Sequence, residues 1–209
     1  MLAEIQFLVA ILNAAYFSFL YKKARLVPLP LLLFCISDAV TAPFNLLYVL
    51  LETEGAYKFA ITACWLFTVA EVVFIPAYLS TLVHKKYDPY PPAIIAILLP
   101  ILQITLYNAK YHYVALNFLL SGILIAYHCY RFIFNSIASS SANPVEFRTN
   151  AIIVFGIMIC YIPSIPLSFG LITNHFFASF YNIRIDSGWT ENAFLIGNIL
   201  QHIFFFIPF

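Results

Sequence analysis

Two carboxylic acids lie deep inside apolar runs of this 209-residue chain: Asp38 in DAVTAP, within Leu29–Leu51, and Glu71 in EVVFIP, within Phe59–Val83. Each stands five residues before a proline, Pro43 and Pro76. A carboxylate at a bilayer centre costs about 2.5–3.5 kcal/mol on insertion scales, so such a group faces a bundle interior or a wet cavity and marks a site by default. A helical proline leaves the carbonyl four residues back without its N–H partner, here Ala39 and Val72, each adjacent to an acid. A carboxyl group beside a free carbonyl is a polar notch suited to a proton, a cation or the donor group of a ligand. The competing expectation is that the acids only tie neighbouring helices together.

Helical spacing extends the notch. Asp38, Thr41 and Asn45 share one face, as do Cys64, Thr68, Glu71 and Tyr78 on the next run. Later runs offer Asn117, Ser121 and His128; Tyr161, Ser164 and Ser168; and Asn198 with His202, with Gln201 beside them. Candidates to bind a ligand or proton are therefore Asp38, Glu71, Asn45, Thr41, Asn117, His128, Asn198 and His202. Asp38, His128 and His202 fall at similar depth and could meet as an acid/base or metal set. However, no Cys/His ligand spacing supports a metal, and no cofactor is expected. The four cysteines Cys35, Cys64, Cys129 and Cys160 lie singly in different runs and read as packing residues.

Positioning these groups requires a membrane. The chain is 63% hydrophobic and 9% charged, with a mean hydropathy of +0.93, against roughly a quarter charged in soluble domains. The fold class expected is an all-α membrane protein, one domain over 1–209, with spans near 2–21, 29–51, 59–83, 93–107, 113–134, 147–171 and 191–209. Breaks are expected at YDPYPP (Tyr87–Pro92), at SIASSSAN (Ser136–Asn143) and across a connector Thr173–Trp189. The first run lacks a basic stretch before it and is followed by Lys22, Lys23 and Arg25, so it reads as a retained span rather than a signal peptide.

Seven crossings would put Lys22, Lys23, Arg25, Lys85, Lys86, Arg131 and Arg148 on one side, against Lys58, Lys110 and Arg184 on the other. The positive-inside rule then gives an outer N-terminus and a cytoplasmic C-terminus. The scattered basic residues give no nucleic-acid patch.

Several functions are excluded. No lysine lies in the last run to form a retinal-type Schiff base, and GxSxG, HExxH, P-loop and dinucleotide fingerprints are absent. One histidine stands where seven-span zinc hydrolases of the ceramidase type carry HxxxH, and the Gly-Asp signature of lysoplasmalogenases is missing. The acid of the second run, Ala70-Glu71, NPVEFRTNAIIVFGIMICY (Asn143–Tyr161) and IGNILQHIFFF (Ile196–Phe206) together resemble a group of small seven-span proteins common in Bacteroidota, to which no activity is assigned. Arg148 and His202 stand where that group carries aromatic residues. The resemblance implies a multi-pass protein of a bacterial inner membrane.

The functional expectation is a receptor-like protein binding a small molecule or lipid in an intramembrane polar pocket, whether or not it is an enzyme. Its partners would be the bilayer, such a ligand and a second membrane protein to carry a signal. The alternatives are an intramembrane hydrolase or lipid-modifying enzyme of lysoplasmalogenase- or ceramidase-like chemistry, using Asp38, His128 and His202, and a proton-coupled transporter.

Overall fold

The computed structural model describes residues 2–24, 27–51, 54–83, 90–106, 112–138, 144–181 and 187–207, and each of these segments is essentially one helix. They are α1 (Leu2–Ala24), α2 (Leu29–Leu51), α3 (Glu54–Leu82), α4 (Tyr90–Leu106), α5 (His112–Ala138), α6 (Pro144–Tyr181) and α7 (Ser187–Phe206). Among the described residues there is no strand. Four stretches are long and apolar enough to cross a membrane: Leu2–Lys23, Trp65–Leu82, Phe118–Ser136 and Phe147–Gly170. Shorter apolar helical stretches cover Leu29–Phe44 and Leu195–Phe206.

Several boundaries differ from the sequence expectation, among them the start of α3 at Glu54, the end of α5 at Ala138 and the start of α7 at Ser187; two further differences have identifiable reasons. Helix α4 begins at Tyr90 and takes Pro91 and Pro92 into its first turn, where a missing N–H costs nothing because those donors have no helical partner anyway. Helix α6 runs for 38 residues, through Pro163 and Pro166 and on to Tyr181, so part of the expected outer connector is helix. Nothing in Thr173–Tyr181 is a proline or glycine that would stop it. At 1.5 Å per residue α6 is roughly 57 Å long, well beyond a hydrocarbon core of about 30 Å.

The helices close a ring. α1 packs on α2, α2 on α3, α3 on α5, α5 on α6, α6 on α7, and α7 back on α1, while α4 stands outside against α3 and α5. Large apolar side chains such as Leu8, Phe19, Val40, Leu50, Ile97, Phe134 and Phe169 are exposed on the outer surface, whereas Gln6, Asn13, Asp38, Glu71, Asn198, Gln201 and His202 are buried. Soluble proteins rarely show so much exposed apolar surface. A bundle in lipid gains by it.

The interior is polarised along the bundle axis. One apolar cluster gathers Phe17 and Leu20 of α1, Leu31 and Phe34 of α2, Tyr78 and Leu79 of α3, Cys129 and Phe132 of α5, Ile153 of α6 and Phe205 of α7. These are late residues of α1, α3, α5 and α7 but early residues of α2 and α6, so the two sets of helices run in opposite directions. Phe205 seals the cluster with edge-on contacts to Phe17 and Phe34, at 6.1 and 6.2 Å between ring centroids. The buried polar residues Gln6, Thr41, Glu71 and Asn198 lie beyond most of this cluster. On α1 the buried stripe reads Ala3, Gln6, Ala10, Asn13, Phe17, Leu20, a strict three-four alternation that turns from polar to apolar as it descends.

Glycine makes the closest helix contact possible. A methyl group at Gly156 of α6 would sit 2.6 Å from the Phe204 Cβ of α7. Since that atom is anchored to backbone, the helices must part to admit it. Gly156→Ala is expected to destabilise the protein by about 1–3 kcal/mol, read as a lower midpoint in thermal melting. Gly55, with nothing within 4 Å, serves as the control.

Candidate functional site

The two acids of the apolar helices occupy different environments. Asp38 belongs to a dry, three-helix hydrogen-bonded group. His202 of α7 donates from Nε2 to Asp38 Oδ2 of α2. Asn13 of α1 donates from Nδ2 to His202 Nδ1 and, at 3.2 Å, to the His202 backbone carbonyl. A carbonyl oxygen only accepts, so the Asn13 atom facing it is the amide nitrogen. The neighbouring Nδ1 therefore accepts as well, and the ring proton sits on Nε2, facing the carboxylate. All three side chains are fully buried.

This arrangement limits the chemistry available to His202. Both ring nitrogens are taken by protein groups, so none remains to activate a nucleophile or bind a metal in this geometry. His128 does not complete the set: among the described residues, no three His, Cys, Asp or Glu side chains are grouped to hold a metal ion. The expected meeting of Asp38 with His202 is present, but the three-residue version with His128 is not. His128 lies instead in the apolar half, its ring edge-on to Tyr127. The side chains of Asn45, Asn117 and Cys64 lie outside the described residues.

Glu71 lies further along the bundle, in a cavity of about 90 Å³. Its Oε1 accepts the phenol hydrogen of Tyr161 on α6, while its Oε2 is buried with no protein partner. Gln6 of α1 and Asn198 of α7 line the same cavity, and each keeps a buried, unpartnered amide oxygen, Oε1 and Oδ1 respectively. Two hydroxyls complete the polar wall, Thr41 of α2 and Ser164 of α6. Thr41 Oγ1 is placed to donate to the Ser37 or Asp38 carbonyl, at 3.0 and 3.2 Å, and Ser164 Oγ donates to the Tyr161 carbonyl at 2.6 Å. Their hydrogens are thus committed, and lone pairs face outward. Phe67, Phe118 and Leu195 form the apolar remainder.

Three acceptor oxygens on the cavity wall thus lack protein donors. Leaving a buried acceptor unsatisfied costs about 1–3 kcal/mol, so three of them create a strong demand for donors or positive charge. The cavity is also small. Ordinary ligand pockets measure about 300–1,000 Å³, and a liquid water takes about 30 Å³, so the space suits a group of a few atoms.

The two acid–proline sequences are not equivalent. Pro76 is buried and Pro43 is exposed on the outer surface. Sequence reasoning also missed Gln6 and Asn13, although their seven-residue spacing, two turns of one face, was a usable signal. Tyr161 and Ser164 had been placed on a polar stripe, yet nothing in the sequence singled them out as the partner and neighbour of Glu71.

Comparison with protein-family models, with curated proteins and with solved structures finds no match. The functional reading rests on the site's own geometry.

Proposed function

We propose that the chain is a multi-pass protein of a bacterial inner membrane that binds a small ligand, carrying hydrogen-bond donors or positive charge, in the Glu71 cavity. In this reading all seven helices cross the bilayer, with the N-terminus outside and the C-terminus in the cytoplasm. The observation that carries it is the set of three buried acceptor oxygens without protein partners, Gln6 Oε1, Glu71 Oε2 and Asn198 Oδ1, on residues lining one cavity. Orientation is supported by the excess of Lys and Arg in the segments after α1, α3 and α5. Signalling from such a site would need a partner membrane protein. The engagement of both His202 nitrogens argues against hydrolysis with His202 as the base.

A stability screen of the purified protein tests the reading. Ammonium, methylammonium and guanidinium are expected to raise the wild-type melting midpoint and to leave Glu71→Gln unmoved. Stabilisation by acetate, formate or phosphate instead would contradict it.

A further inference from the structure

We infer that the Glu71 cavity is a binding site for a monovalent alkali cation; the inference rests on the ligand-binding reading above and names the ligand. Oxygen-bearing side chains from five helices line the cavity: Gln6, Thr41, Glu71, Tyr161 with Ser164, and Asn198. The Thr41 and Ser164 hydrogens go to backbone carbonyls, and the Tyr161 hydrogen goes to Glu71. Gln6 Oε1, Glu71 Oε2 and Asn198 Oδ1 keep lone pairs without a protein donor, and hard oxygens of this kind suit alkali and alkaline-earth ions.

Charge decides between those two classes. Glu71 is the only carboxyl group among the described lining residues, so exchange of its proton for one monovalent cation leaves the site neutral. Calcium takes six to eight oxygens, usually with several carboxylates, and would leave this cavity with an excess charge in a low-dielectric interior. Softer transition metals prefer imidazole or thiolate ligands. Here Cys160 is a single free thiol beside the oxygens, too little for such a site. The volume of about 90 Å³ accommodates one desolvated alkali ion with one or two waters, at about 30 Å³ per water.

The cavity reaches toward the start of α1, where Gln6 contributes to its wall, and Phe67 and Tyr161 join it to the apolar cluster.

The test is thermal melting of the purified wild-type protein at constant ionic strength in NaCl, KCl, CaCl₂ and N-methyl-D-glucamine chloride. Sodium or potassium is expected to raise the midpoint saturably over the bulky organic cation, by roughly 5–10 °C at a hundredfold excess over Kd. The two alkali arms identify which ion the site prefers. Glu71→Gln should abolish the shift, and Asn198→Ala, which keeps the carboxylate, should raise the half-saturating concentration about 10-fold. Equal midpoints in sodium, potassium and N-methyl-D-glucamine overturn the assignment. If methylammonium then still stabilises, the donor-ligand reading stands without the alkali ion; if it does not, both fall.

Discussion

Replacing His202 with alanine is expected to lower the melting midpoint by roughly 6–20 °C. The change removes the group that donates to Asp38 and leaves a fully buried carboxylate without its partner. Breaking a buried pair from one side costs about 3–5 kcal/mol, and in a chain of this size each kcal/mol moves the midpoint by about 2–4 °C. It also deprives Asn13 of one acceptor while the His202 backbone carbonyl remains. The double variant Asp38→Ala with His202→Phe removes both partners, and should recover most of the loss, since replacing a buried pair by packed apolar groups is often neutral. A double variant as unstable as the single one would show that the pair does more than hold α1, α2 and α7 together. Because neither residue lines the Glu71 cavity, every folded variant of this set should retain its ligand-dependent stabilisation.

Glu71→Gln is expected to lose at least about 100-fold in affinity for cationic ligands while the protein stays folded. The substitution keeps the shape and the acceptor for Tyr161 but removes the only acidic group among the described lining residues. Tyr161→Phe should behave in the opposite way. It strips a donor from Glu71 Oε1 and so costs about 1–3 kcal/mol of stability, yet it leaves the carboxylate with one more lone pair for a cation. Affinity at that variant should be unchanged or raised. Melting in ligand titrations separates the two effects; equal losses of affinity in both variants would mean that the Tyr161–Glu71 bond, rather than the charge, defines the site.

Much of this architecture was legible in composition and periodicity. Long apolar runs in a chain with few charges dictate helices, because lipid offers backbone groups no other partner. Asp38 and Glu71 stood out because burying a carboxylate is costly enough to need a reason. Their partners were hidden for the same physical reason that makes them effective. Asn13, Gln6 and Tyr161 are uncharged, and a neutral polar residue in an apolar helix is common as plain interhelical contact. Which helix faces which is set by packing of stripes distant in sequence. The contact between α1 and α7 joins Asn13 to His202, 189 residues apart. The separation of Asp38 from the Glu71 cavity followed from side-chain direction: Thr41, one turn along α2, enters the lining, whereas Asp38 turns to His202. Helix ends were less legible, since Pro91 and Pro92 look like breakers but open α4.

The most direct measurement is an experimental density map of the purified wild-type protein in an alkali salt, at a resolution that shows ions and waters. Density for a bound group in contact with Gln6 Oε1, Glu71 Oε2 and Asn198 Oδ1 is the expected result. A map in which those three oxygens are paired with protein donors, leaving no space between them, would contradict the proposed site.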